Sequence, residues 1–407
     1  MPSFNQASFI GAAVESVLMQ SFANLELIVV DGGSTDGTLQ VLERLGSEYG
    51  GKLRWYSERD DGAADAINKA FSLARGEYIG WLNSDDLYAR GAVERAIEYF
   101  GQRPETMMVY GIGEHIDEGG AKMGAYPGEP PPLRADMLRS SCPICQPTVF
   151  FRREMLDQVG LLDPSLSLSF DYDLWIRVFK RYPYQVGYIN AIQAYSRLHA
   201  ACKTMRQRRE VALESMRVTA RGLGSASPHW FYSWLEEYFR DFPYGGQPAD
   251  ARAAMLEAVN EARGYLSDSD RVDFDERMKH DARLRVMHDD ASIAIYPDGW
   301  AAPECVLRVR ARKDGWRKVR VLCRHAAPKG GTLRILVSGP NGKRFEITVS
   351  EPGEFSLELD LPAGYRSPAY WSFMIRTEGA FIPAESESNS SDRRSLAFLV
   401  HGIELEQ

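Results

Sequence analysis

The sequence predicts an α/β protein: a mostly parallel, doubly wound sheet, then a helical stretch, then a C-terminal β-sandwich of jelly-roll type. Three changes of texture carry this reading. Short apolar, β-branched runs alternate with helical periodicity over the first two hundred residues, long Glu-, Arg- and Ala-rich segments follow, and short alternating segments split by Pro and Gly turns run from Arg285 to the end. The expected boundaries are 1–204, 205–284 and 285–407, and 407 residues exceed what one ordinary core accommodates.

In chain order, "FIGAAVESVLMQSF" puts Ile10, Val14, Val17 and Leu18 on one face of a helix. "LELIVVD" is a β-branched run suited to a strand covered on both faces. It breaks at Gly32-Gly33, and the next helix starts near Asp36 or Thr38, either of which can cap it. The cycle repeats with strand "KLRWYSE", helix "AADAINKAFSLA", strand "EYIGWLN", helix "GAVERAIEYF" and strand "TMMVYGIGEHI". Short connections between such elements imply parallel strands with helices on both faces. "HWFYSWLEEYF" has the periodicity of a packed helix, and eight short segments after Arg285 supply the strands of the sandwich. Trp300, Trp316 and Trp371 could give that sandwich a sugar-stacking face, although aromatic residues in such strands mostly pack inside.

Composition removes several classes of function. With 44 % hydrophobic and 26 % charged residues the chain has a globular balance, and its net charge of -8 is wrong for neutralising nucleic-acid phosphates. No apolar run approaches the ~20 residues that span a bilayer, and a secretory leader is not evident. A cytoplasmic protein is expected, compatible with peripheral attachment to the inner face of a membrane. The five cysteines are scattered, as free thiols in a reducing compartment would be, and the one C-x-x-C, "CPIC", lacks a second pair for zinc.

In open sheets of this kind ligands gather at the carboxyl ends of the strands. The acids stand there: Asp31, Glu58 to Asp61, and Asp85-Asp86 each follow a strand directly. In "GWLNSDDLY" two adjacent carboxylates end an apolar run, which is costly without a cation. A divalent ion carrying a diphosphate would resolve the cost, with one carboxylate on the metal and its neighbour on a ribose hydroxyl. The alternative is a solvated turn in which both acids cap a helix starting near Ala89. Asp31 could accept from a nucleobase N–H.

Taken together, "PSFNQASFIGAAVESVLMQSFANLELIVVDGGSTDGT", "DGAADAINKAF", "GWLNSDD" and "FDYDLWIR" resemble the inverting family-2 glycosyltransferases of GT-A (Rossmann-like) fold, over about residues 2–203. The resemblance implies a metal-dependent glycosyltransferase, with Mg or Mn as cofactor. It would move a sugar from a nucleotide-diphosphate donor to a hydroxyl of a saccharide or lipid-linked saccharide in bacterial glycan synthesis. UDP is favoured as carrier, with dTDP and GDP as alternatives, and nucleic acid is not a partner. It implies that Ser3, Asp31, Gly33, Asp60, Asp65, Asn68, Ser84, Asp85 and Arg197 surround the nucleotide-sugar, that Asp86 and His199 hold the metal, and that Asp171 is the catalytic base. Gln146 and Asp173 fall on the acceptor side, Asp173 being the alternative base or a brace of its helix. Where the family places an acid before the base, this chain has Phe170. The family also enters "PSFNQ" from an apolar central strand, so a start upstream of Met1 is expected. A binding protein that keeps the fold without turnover is the alternative function.

Overall fold

A computed structural model of the chain describes residues 1–241, 251–280, 293–296, 298–310, 318–325, 331–339, 344–360, 370–380 and 394–406. The chain divides into two compact units, Met1–Phe231 with Gly264–Ser267, and Tyr232–Arg263 with Asp268–Gln407.

The first unit is the α/β domain. Strands β1 (Pro2–Ser3), β2 (Leu27–Asp31) and β3 (Leu53–Ser57) form a parallel sheet in the order β1-β2-β3. All five residues of β2 are buried, as its unbroken apolar run requires. Strands β4 (Tyr78–Gly80), β5 (Leu87–Tyr88), β6 (Met108–Ile116), β7 (Lys122–Ala125), β8 (Phe150–Arg152) and β9 (Val186–Arg197) make a second sheet, ordered β4-β8-β6-β9-β5 with β7 on the side of β6. In it only β6 and β9 run parallel. The parallel expectation therefore holds for the first sheet, while the second is mixed, because β8 re-enters between β4 and β6 against their direction.

Helices α1 (Ile10–Leu18), α2 (Thr38–Tyr49), α3 (Ala63–Leu73) and α4 (Ala92–Gln102) lie where the periodicity predicts them. Short α5 (Ala135–Ser140) and α6 (Met155–Val159) precede α7 (Phe170–Arg181), and α8 (Lys203–Arg206) leads into α9 (Arg208–Leu223). One core packs Trp81, Trp175 and Phe151 under the second sheet, and another joins α1, α2 and α4 around Ile10, Leu42 and Phe100.

The two sheets do not share a ladder. Residues Pro2 and Ser3 pair with Val30 and Asp31, and among the described residues no strand pairs with both β2 and β4. A cleft of about 610 Å³ is lined by Leu27 and Ile28 together with Tyr78, Ile79 and Met1. The Met1 ammonium reaches the Ile28 carbonyl at 2.9 Å.

Helices α10 (His229–Asp241), α11 (Ala251–Gly264) and α12 (Asp268–His280) follow, with Phe231, Trp234 and Leu235 buried, so the aromatic cluster packs as expected. Among the described residues the C-terminal part has eight strands, β10 (Ile293–Ile295), β11 (Trp300–Arg310), β12 (Lys318–His325), β13 (Leu333–Ser338), β14 (Arg344–Val349), β15 (Gly353–Asp360), β16 (Tyr370–Glu378) and β17 (Phe398–Glu406). All pairings are antiparallel and run unbroken as β14-β13-β16-β11-β17-β12-β15, with β10 on β11. The first residues of β11 pair with β17 and its last seven with β16. The sandwich is thus a barrel-like sheet whose halves share a strand and enclose one core that includes Leu307, Val321, Ile335, Leu357 and Phe373. Trp316 lies outside the described residues, and Trp300 is half-buried at the start of β11.

Candidate active site

The site lies where β1, β2, β3, β4 and β9 end and β5 and α7 begin. Its first wall is two loops zipped together: Asn5 N–H donates to Ser34 Oγ at 2.7 Å, Gln6 N–H to Thr38 Oγ1 at 2.9 Å, and Thr35 N–H to Asn5 Oδ1 at 2.9 Å. Asp36 caps the turn into α2, accepting from Thr38 N–H at 3.1 Å and from Ala7 N–H at 3.0 Å. Gly33 sits at φ +83°, in the left-handed region that its loop requires. Ser3 Oγ is buried without a hydrogen-bond partner among the described residues, an orphan of the kind that a ligand satisfies.

Asp31 does not face a ligand. It is fully buried, and its carboxylate accepts from Gly33 N–H (3.1 Å), Ser34 N–H (2.9 Å), Ser34 Oγ (2.5 Å) and Ser57 Oγ (2.8 Å). It holds the Gly33–Ser34 loop. Asp60 next to it is half-buried, with Oδ1 accepting from Gly62 N–H at 3.0 Å. Gly32 makes room for it, since a Cβ there would stand 2.6 Å from Asp60 Oδ2.

Two further expectations are displaced. The Asn68 amide is consumed by the Leu162 backbone, donating to its carbonyl at 2.9 Å and accepting from its N–H at 3.0 Å. Asp65 pairs with Lys69 at 3.2 Å, which also holds Glu58 at 2.9 Å. Both residues brace α3.

At "NSDD" the adjacent acids diverge. Asp86 is 4 % exposed, and its Oδ1 accepts from Arg197 N–H at 2.9 Å while Oδ2 accepts from the Asn83 amide at 3.3 Å. Burial, then the neighbouring Asp85 charge, pushes its carboxyl well above the usual range. Asp85 instead turns to His199, with Oδ2 at 3.1 Å from Nε2. The acids are followed by β5, with α4 starting only at Ala92, so neither caps a helix. Asp86, expected as the metal ligand, accepts one hydrogen bond on each oxygen, while the groups whose ligand atoms converge are Asp85, His199 and Cys202, all within 4.8 Å of one another. An oxygen, an imidazole nitrogen and a sulfur with partial access to solvent are a chemically suitable donor set for a divalent ion. Ser84, between Asn83 and the acids, is buried.

Arg197 fastens this loop rather than facing a diphosphate. Its Nε donates to the Asp85 carbonyl at 2.8 Å, its Nη1 to the carbonyls of Asp117 (3.1 Å) and Glu118 (2.9 Å), and its guanidinium lies 5.2 Å from the Phe9 ring centre. His199 packs on the same ring at 4.6 Å. Gln146 likewise supports the site from behind, accepting from the Asn83 amide at 2.9 Å and donating to the Trp81 carbonyl at 2.7 Å. Its buried amide is unavailable to an acceptor sugar.

The other pole is the start of α7. Asp171 accepts from Tyr172 N–H at 2.8 Å, and burial pushes its carboxyl up to about 6. Trp81 ties this pole to the loop of the paired acids, since its Nε1 donates to Asn83 Oδ1 at 3.2 Å while its ring packs against Phe170, the residue before Asp171. Asp173 points away, held by Arg177 Nε at 2.9 Å and Arg221 Nη2 at 2.5 Å, which removes it from the acceptor side and makes it a brace. Phe170, in place of the acid, stacks on Trp81 at 5.8 Å. The sequence reading missed Cys202 and Asn83; the His199-x-x-Cys202 spacing was the available signal for the first.

Residues 1–160 match the family model described as glycosyl transferase family 2. An uncharacterized glycosyltransferase of Rickettsia conorii is 29 % identical over 211 residues, covering 49 % of this chain and 33 % of that protein. Chondroitin synthase of Escherichia coli is 31 % identical over 199 residues, covering 49 % of this chain and 28 % of the synthase. This chain thus spans about a third or less of these relatives. Among solved structures, S. aureus TarS has a TM-score of 0.50 at 14 % identity, covering 92 % of this chain and 71 % of TarS, a likeness of fold. The N-terminal domain of this chain belongs to glycosyl transferase family 2 and has the GT-A fold.

Proposed function

We propose that the protein transfers a sugar from a nucleoside diphosphate to a hydroxyl of a saccharide acceptor, with inversion at the anomeric carbon, in bacterial glycan assembly. The observation that carries this reading is the convergence of Asp85, His199 and Cys202 at the strand ends. Asp60 accepts from the base and the orphaned Ser3 hydroxyl from the nucleoside. A carboxylate in that place favours the N3–H shared by uracil and thymine, so UDP or dTDP is preferred to GDP. The relative named chondroitin synthase supports a saccharide as acceptor.

Asp171 takes the proton of the acceptor hydroxyl as its oxygen attacks the anomeric carbon, and the glycosidic bond to the diphosphate breaks on the opposite face. A carboxyl raised to about 6 is a stronger base than an ordinary aspartate and is still mostly ionised at neutral pH. Asp85 and His199 would hold a divalent ion, which when bound offsets charge on the leaving diphosphate. Arg197 keeps Asp85 in place through its backbone. Among the described residues no helix is long and apolar enough to cross a membrane, so a lipid-linked acceptor would be met at the membrane surface.

The test is calorimetric titration of UDP, dTDP and GDP, with and without manganese, into the wild type and Asp85→Ala. Metal-dependent binding of one nucleotide, abolished in the variant, is expected. Binding that ignores both metal and variant would overturn the reading.

A further inference from the structure

We propose that Cys202 is itself a ligand of the ion, making the site an Asp–His–Cys centre that prefers ions of the zinc and cobalt class to magnesium. This rests on the reading of Asp85 and His199 as metal-holding residues and adds to it a third ligand and an ion class.

The backbone builds the arrangement. Cys202 N–H donates to the His199 carbonyl at 3.0 Å, closing a turn that brings the side chains of residues 199 and 202 to one side. The sulfur then sits beside the imidazole, accepting from His199 N–H at 3.4 Å, while Asp85 Oδ2 lies 3.1 Å from Nε2. In a tetrahedral site, oxygen and nitrogen at ~2.0 Å and sulfur at ~2.3 Å from the ion stand ~3.3–3.6 Å from one another. The present spread of no more than 4.8 Å closes to that with side-chain movement of at most about an ångström and a half.

Cys202 also differs from the other cysteines. Cys145, Cys305 and Cys323 are buried thiols and Cys142 is partly buried like Cys202, but among the described residues Cys202 is the cysteine with two other ligand types beside it. Its Sγ donates to the Arg197 carbonyl at 3.3 Å. When the ion binds, that S–H bond breaks, the proton passes to solvent, and the new bond is sulfur to metal. The His199 N–H remains on the sulfur and supports the negative charge. Three protein ligands leave a position open for a phosphate oxygen, as catalytic centres require. A thiolate selects zinc or cobalt, whereas magnesium demands oxygen.

The experiment uses the full chain and cobalt(II) alone, without nucleotide. The expected result is one equivalent of cobalt with a near-ultraviolet sulfur-to-cobalt band, displaced by zinc and unaffected by excess magnesium. Cys202→Ser should lose the band and bind cobalt at least ~10-fold more weakly, the low end of what even outer-shell changes cost. Since that variant could misfold, iodoacetamide alkylation of wild-type Cys202, mapped by mass spectrometry, provides a second readout, and bound cobalt should slow it. Cobalt binding with no sulfur band and no protection of Cys202 overturns the proposal and leaves the metal–diphosphate reading standing if nucleotide binding still needs manganese. No ion binding, with nucleotide binding that ignores metal, overturns both.

Discussion

Asp85 and Asp86 are neighbours in sequence with opposite tasks. Asp85→Ala removes a carboxylate aimed at His199 and should abolish metal binding with little loss of stability. Asp86→Ala leaves the Arg197 N–H without its acceptor in a dry position, so it should cost about 1–3 kcal/mol of unfolding free energy, read by urea denaturation. Asp171 gives a pH dependence. With its carboxyl raised to about 6 and active only when ionised, kcat/KM should fall as pH drops through about 6. The same shift opposes folding: the penalty is absent below the unfolded value of about 3.9 and grows as pH rises through 6. Asp171→Asn should therefore eliminate transfer and raise stability above pH 7 by up to about 3 kcal/mol. Asp31 and Asp85-Asp86 could be located from sequence because each ends an apolar run, whereas Asp171 was located through the resemblance of "FDYDLWIR" to its family. Their occupation could not, because an aspartate saturated by loop N–H groups, like Asp31, and one open to a ligand, like Asp60, are the same letter at the same kind of strand end.

Single contacts also decide how elements hold together. Asn68 ties α3 to a loop 94 residues away through both ends of its amide. Asn68→Ala should lower the melting temperature and leave nucleotide affinity within about twofold, since the loss is two backbone partners worth about 1–3 kcal/mol together. A direct nucleotide role would appear as lost affinity. The helices and strands of the first unit were legible because periodicities of 3.6 and 2 survive in the apolar pattern. Strand direction in the second sheet was not, since β8 runs antiparallel to β4 and β6 by virtue of its connections rather than its composition. The role of Phe170 was hidden for a related reason: its partner Trp81 is distant in sequence, and only folding stacks them.

At the scale of the molecule, two units with separate cores should give two transitions in scanning calorimetry, the first unit's shifted upward by nucleotide with metal and the other's unmoved. A single transition shifted as a whole would contradict this. The change of texture near Arg285 announced a β domain, because exposed and buried positions alternate along strands such as β12. It did not announce that β11 would serve both halves of one sheet, which depends on pairings far apart in sequence. The gap between β2 and β4 has a mechanical meaning. A solvent-open cleft of about 610 Å³ has Leu27 and Ile28 on its lining together with Tyr78 and Ile79, and among the described residues no ladder of backbone hydrogen bonds crosses it. Strand β4, paired on one edge alone among the described residues, should therefore exchange its amide hydrogens with deuterated solvent sooner than β6 and β9, which are paired on both edges, so the seam between the two sheets is where the first unit yields first.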